Sequence, residues 1–441
     1  MKRILLILLI WALSIPALAQ TNDDGSFTKY RRSSLYSVLI RHSSYPYGNE
    51  INQAFMDMPM PDKFNDHNLG IRSFESSAPK MKQKGKVKDS WNMKDMSQFI
   101  ENEAIARNLI AKWFDWDPEN GGFDMELIQE RGFYDASQLD IASARQSERG
   151  MSTLGDAGES LIGNTFMLVN DITFVDKGEV SRKTAAGISI VGSLAAALLG
   201  SSALEDLGNT AAALTNEIDG FTVNITSYLY RLVWNDEIMG TFYFDYWFPK
   251  GEDNPSRKSA FDLSRIFKLE YVGSSSTSAD ILESKSFSKL TKEEQMLKVC
   301  ARAVDKSIVE LQRQYQEFRV NVPVYKISED LKTVEVQIGL KEGINEKSEF
   351  DVLLPKENAE GKITYEKIGR IKPEKGKIWD NRFGALEEAQ MIISARQAGT
   401  DVKAADGVDL EAASLNSTTF RILSGAGRIA PGCLVREATI K

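Results

Sequence analysis

Four carboxylates have a spacing that invites a chemical reading. Asp115, Asp117, Glu119 and Glu126 fall at positions 1, 3, 5 and 12 of a calcium-loop template. That spacing gathers carboxylate oxygens around one hard cation. Position 6, where the sharp turn requires glycine, is Asn120, and position 8, usually apolar, is Gly122. The stretch therefore predicts a polar connection between helices, with no metal ligands. Trp379-Asp380-Asn381-Arg382 sets an aromatic ring beside groups able to hydrogen-bond a sugar or peptide. Its Lys-Gly-rich context predicts instead a β-turn with a buried Trp379 and an Asp–Arg pair. Cys300 and Cys433 are the two cysteines of the chain. Cys300 lies on the apolar side of a helical pattern, and two buried thiols are expected. Two histidines are too few for a His-rich metal centre or a histidine relay. G-x-S-x-G, H-E-x-x-H, the P-loop and a G-x-G-x-x-G after a strand do not occur in the sequence. The expectation is thus no catalytic, cofactor-binding or metal residues and no cofactor.

The elements around these residues change period along the chain. Residues 20–90 are weakly patterned and rich in proline and polar residues, which predicts an extended arm with one short element over Ser34–Ile40. Within it Lys80, Lys82, Lys84, Lys86 and Lys88 alternate with other residues. In an extended chain their charges share one face, as a solvated linker or a contact with an anionic envelope surface. Phe99, Ile105, Leu109, Ile110, Trp113 and Phe114 recur at helical spacing. Asp124 is placed to cap a following helix, and a third helical stretch is predicted over 135–161. The period then becomes two. Thr165–Val175, Phe221–Trp234, Met239–Phe248 and Ile266–Val272 predict an antiparallel sheet. Thr291 and Glu294 have capping-box spacing. The apolar positions Met296, Cys300, Val304, Ile308, Leu311, Tyr315 and Phe318 follow as one helical face, expected to pack on that sheet.

Val320-Asn321-Val322-Pro323 ends the helix and marks a boundary. Beyond it, short strands at 333–338, 350–354, 365–371, 420–423 and 433–436, separated by glycine turns, favour a small barrel. Asp401–Ser417 reads as a loop. Ile338-Gly339-Leu340-Lys341-Glu342-Gly343-Ile344, Phe350-Asp351-Val352 and Ile368-Gly369-Arg370-Ile371 carry a resemblance, with Ile429, Pro431, Gly432, Leu434 and Val435 at the close. This stretch resembles the C-terminal β module of the periplasmic flagellar assembly protein T family. The sheet and long helix before it look like the envelope domains related to curli secretion lipoproteins. The whole chain resembles secreted envelope proteins of Gram-negative bacteria. The resemblance implies a non-enzymatic part of an envelope assembly. The chain departs from the flagellar family in its N-terminal region and in the insertion before Thr418.

The fold class expected is α+β: a helical N-terminal part, an antiparallel sheet with a long packed helix, and a small C-terminal β-barrel-like domain. The divisions are 1–19, 20–90, 91–320 and 321–441. Residues 1–19 read as a secretory signal peptide: Lys2 and Arg3, a short apolar run, then Ala17-Leu18-Ala19 as cleavage site. Loss of those two cations takes the formal charge from −8 to −10, and an acidic periplasmic or extracellular protein is not a nucleic-acid binder by this count. Thr184–Leu204 is uncharged and rich in Ala, Gly and Ser, with Gly192, Ala196 and Gly200 four apart. A tightly packed insertion, an oligomer contact and a membrane-inserting element are its three readings. The function expected is a periplasmic or secreted scaffold or adaptor acting through protein–protein contacts with envelope proteins or itself. The alternatives are a secreted hydrolase using acidic residues, or a membrane-associated oligomer assembled through 184–204.

Overall fold

The computed structural model describes residues 33–45, 47–78, 89–134, 145, 158–176, 220–282, 291–357, 363–397 and 410–438. The leader 1–19, the lysine run Lys80–Lys88, most of the third helical stretch and Thr184–Leu204 lie outside the described residues.

The chain is α+β, built on a mixed sheet. Its strands are β1 (Ser34–Arg41), β2 (Asn65–Asp66), β3 (Ser73–Glu75), β4 (Thr165–Asp176), β5 (Gly220–Leu232) and β6 (Leu269–Leu282). The order is β2–β1–β4–β5–β6, with β3 also on β1. Here the structure corrects two expectations. The sheet is antiparallel only across β4, β5 and β6, whereas β1 runs parallel to β2, β3 and β4. Residues 42–164 separate β1 from β4, long enough for the crossover a parallel pair requires. The region expected as an extended arm also supplies an interior strand: seven of the eight residues of β1 are buried. A strand covered on both faces loses the apolar–polar alternation that marks a half-exposed one.

Helices cover both faces. On one, α1 (Gly48–Asp57) and the long helix α7 (Lys292–Gln314) bring Phe55, Val299, Cys300, Val304 and Leu311 against Leu35, Leu39, Phe166, Leu168 and Leu229. On the other lie α2 (Asp89–Asn102), α3 (Ile105–Trp113) and α4 (Glu126–Tyr134). Their Met96, Leu109, Ile110 and Trp113 meet Tyr36, Val38, Met167, Val169 and Tyr228. The stripe from Phe99 to Phe114 is two helices, broken at Ala104, whose φ of 45° ends the helical run. The capping box of α7 forms as its spacing predicts: Glu294 N donates to Thr291 Oγ1 at 3.2 Å, and Thr291 N donates to the Glu294 carboxylate at 2.8 Å.

Met239–Phe248, expected as a strand, is helical. Asn235 Oδ1 accepts from Ile238 N at 3.0 Å and starts α5 (Asp236–Thr241), which runs into a π turn at Phe242–Tyr246. Phe242 and Tyr246, four apart, are buried in the aromatic core with Phe114, Phe123 and Phe261. The cap and this spacing override the strand preference of the aromatics. Helix α6 (Pro255–Asp262) follows, capped by Asn254.

The C-terminal strands are β7 (Val322–Ile327), β8 (Thr333–Val336), β9 (Phe350–Glu357), β10 (Ile363–Pro373), β11 (Thr418–Ser424) and β12 (Leu434–Glu437). They close into a barrel in the order β10–β11–β8–β7–β12–β9. Its interior holds Val324, Val334, Val336, Phe350, Val352, Ile371, Phe420 and Val435. Between β10 and β11 lie α8 (Ala385–Gln397) and α9 (Leu410–Ser414), the latter inside the stretch expected as a loop.

Candidate functional site

The calcium-like loop is a braced turn. Asp117 accepts from Glu119 N, Asn120 N and Asn120 Nδ2 at 2.8, 3.2 and 3.0 Å, and these bonds hold its carboxyl below the usual range. Asp115 is ion-paired with Lys250, and Glu119 and Glu126 are exposed. Gly121 and Gly122 have φ of 81° and 94° and face Phe248 and Lys250 so closely that a Cβ would not fit. The loop thus serves to seat Phe123 against Phe248 through a 2.8 Å backbone bond. Among the described residues no group of His, Cys, Asp and Glu is placed to hold a metal ion.

Trp379–Arg382 is a clasp. Arg382 grips Asp380 through two bonds of 2.8 and 2.7 Å. Asn381 accepts from Lys341 N at 2.9 Å and donates to Glu342 at 2.8 Å, tying the turn at residues 339–343 to the base of α8. Cys300 and Cys433 lie in different cores, the sheet and the barrel, and both are free thiols. Burial pushes the Cys300 thiol up to about 12 and raises Cys433 as well.

Sequence reasoning passed over two buried polar centres. His42 Nε2 lies 2.8 Å from Asp171 Oδ1. Asn92 donates to Asp171 Oδ2 at 2.8 Å and to the Tyr228 hydroxyl at 3.0 Å. These four groups come from the end of β1, from α2, from β4 and from β5. On the opposite face of β4, Asn170 accepts from Ser227 at 2.7 Å and donates to Ser37 at 3.2 Å. Asn170-Asp171 in the middle of an apolar strand is the signal in the sequence that could have found this centre. The second centre is His67, whose Nδ1 is 3.2 Å from Arg131 and whose Nε2 is 3.0 Å from the Leu109 carbonyl. Arg131, a donor only, fixes Nδ1 as acceptor, so Nε2 carries the proton. Burial, with Arg131 beside it, holds His67 well below its ordinary value. Arg131 also stacks over Trp113 at 4.4 Å, and Trp113 Nε1 donates to Thr165 at 2.8 Å. Both centres are sealed by packing and act as fasteners between sheet and helices.

Two features face outward. A groove of about 380 Å³ runs between Leu69–Ile71, α3 and Trp116–Pro118. Lys112 lines it and donates to the Asn68 carbonyl at 2.6 Å. Its one carboxylate, Asp115, is the group paired with Lys250. A hydrolytic pair of acids is therefore not assembled in this groove. The other feature is apolar: Phe244 is 80% exposed and Leu263 76% exposed. Phe244 sits on the π turn between the buried Phe242 and Tyr246, and Leu263 caps the end of α6. Arg257 binds the carbonyls of Phe244, at 2.9 Å, and Trp247, so the two elements are braced together.

No family model matches this chain, and a search of curated proteins finds no match.

Proposed function

We propose that the protein is a periplasmic or secreted scaffold or adaptor that works through protein–protein contacts in the cell envelope. The observation that carries this reading is the pair Phe244 and Leu263, presented on elements rooted in the aromatic core. Burying one such side chain is worth about 1.5–3 kcal/mol, a gain that folding has left unused at both positions. Their backbone is fixed by capping bonds and by Arg257, so little entropy is lost when a partner covers them. The leader-like residues 1–19 and the resemblance of the C-terminal strands to an envelope assembly module support the compartment.

The test is crosslinking in cells followed by envelope fractionation, on the wild type and on F244S/L263S. The expected result is a reproducible set of envelope partners that the double variant loses while keeping the wild-type melting temperature. An unchanged crosslink pattern in the double variant, or recovery of the wild type from the cytosol, defeats the proposal.

A further inference from the structure

Where the barrel meets α7, charges of both signs are gathered, Lys63, Asp305, Lys341 and Glu342 mostly out of water and Asp62 half-exposed. Lys341 Nζ lies 3.6 Å from Asp62 and 3.7 Å from Asp305. Lys63 Nζ lies 3.6 Å from Glu342 and donates to the Gln337 carbonyl at 2.8 Å. Glu342 also accepts from Gly339 N at 2.6 Å and from Asn381 at 2.8 Å. On the same helix Arg302 is committed to Glu388, and Lys306 reaches to the Ser278 carbonyl of β6. Acting on Asp305 are thus Lys341 and Glu342 from the barrel and Asp62 from the segment after α1, with Lys63 of that segment set on Glu342. Three carboxylates meet two ammonium groups.

We propose that this junction is a pH-operated latch, which holds the barrel against α7 while Asp305 carries a proton and loosens it when all three carboxylates are ionised. With one proton the cluster is neutral. Without it, one negative charge is left uncompensated in a place that water reaches poorly. The proton belongs on Asp305 because its side chain is 14% exposed against 52% for Asp62. Burial pushes the Asp305 carboxyl up to about 7, with Lys341 opposing and Glu342 and Asp62 reinforcing the rise. A raised carboxyl makes the docked state bind the proton more tightly than the open state. Docking is therefore favoured below that value and weakened as pH rises through it.

Hydrogen exchange on the intact chain tests this, corrected for the intrinsic pH dependence of exchange. Peptides covering 58–64 and 339–344 are followed at pH 5.5, 6.5, 7.5 and 8.5, with β4 and β5 as internal controls. In the wild type, protection at the junction is expected to fall roughly thirtyfold between pH 5.5 and 8.5, most of it below pH 7.5, while β4 and β5 hold. Asp305→Asn keeps the shape and removes the titration, and its junction is expected to stay protected. Asp62→Asn, at a half-exposed position, removes the excess charge without touching the core; because Asp62 helps to raise the Asp305 carboxyl, the loss of protection is expected to become smaller and to be complete at lower pH. Junction protection that ignores pH in the wild type, or that falls equally in Asp305→Asn, overturns the proposal. This latch is independent of the exposed Phe244 and Leu263, and either proposal can fail without the other.

Discussion

Asp171 satisfies two buried donors at once, His42 and Asn92. Removing it orphans both, and each buried unsatisfied group costs about 1–3 kcal/mol. Asp171→Ala is thus expected to lose about 3 kcal/mol in urea unfolding. A loss under 1 kcal/mol would mean that the network is ornamental. At Cys300 the expectation is chemical. With its pKa raised to about 12 by burial, the thiolate is scarce at neutral pH. A thiol reagent at pH 7.5 is expected to label neither Cys300 nor Cys433 until denaturant is added. A single ionisable group also leaves a trace in the pH dependence of stability. Asp305 is protonated in the fold up to about 7 but only to about 4 when unfolded. Between those values the folded wild type holds one more proton than the unfolded chain. Its stability is lost as pH rises, by up to about 1.4 kcal/mol per pH unit. His67 acts with the opposite sign, because its depressed value makes the unfolded chain bind the proton, and stability is lost as pH falls below about 6.5. Asp305→Asn cancels the first effect alone. Its thermal stability relative to wild type is expected to climb from pH 4 to pH 7, and a flat difference would refute the assignment.

Elements differ in how openly the sequence declares them. Helix α7 is legible because a reciprocal cap and an apolar face from Met296 to Leu311 say the same thing, although Tyr315 and Phe318, expected on that face, lie past the helix end at Gln314. The barrel is legible because its strands are short, alternate in burial and are punctuated by glycine. β1 is only half declared: a short element is expected at Ser34–Ile40, but, buried on both faces, it lacks the alternation that would mark it as a strand of the sheet. The aromatic run after Asn235 misleads for a related reason, since strand-forming residues were placed on a helix by a cap and by a core that wanted rings four apart. His42 and Asp171 could not be joined from sequence at all, because β1 and β4 meet only in the folded sheet. The outer strand β6 shows a device invisible in sequence. Its edge is covered where Ser274 N donates to the Tyr315 hydroxyl at 3.2 Å and where Lys306 caps the Ser278 carbonyl at 2.7 Å. Gly273 leaves the space that the Tyr315 ring occupies. Gly273→Ala is expected to expel that ring, to cost about 2 kcal/mol, and to promote association through the uncovered edge. Thermal melting and light scattering together check it, and a variant that melts lower but stays monomeric would remove the protective role while keeping the packing one.

At the scale of the molecule, charged groups line much of the seam between the sheet unit and the barrel unit, beside the apolar contact that Phe383 makes with the sheet core. One side of α7 faces the sheet with Val299, Cys300 and Val304, while Lys298, Arg302, Asp305 and Arg313 reach the C-terminal region. Lys298 and Arg302 both bind Glu388 of α8, a triad whose carboxylate is 4% exposed. Arg313 grips Glu437 of β12 through bonds of 3.1 and 3.0 Å. Burying such a triad gains little net energy, because desolvation offsets most of the Coulomb attraction. Breaking it on one side leaves two cations stranded. The two cases separate cleanly. Glu388→Leu alone is expected to cost about 3–5 kcal/mol, whereas Lys298→Met, Arg302→Leu and Glu388→Leu together are expected to be neutral or stabilising by about 1–4 kcal/mol. If charge is there to fix how the barrel sits on α7, the triple variant should keep its urea midpoint and yet show a broadened distribution in small-angle scattering. A triple variant that is both as stable and as compact as the wild type would mean that apolar packing along α7 alone sets the geometry, and that the charges of this seam serve the pH response and nothing else.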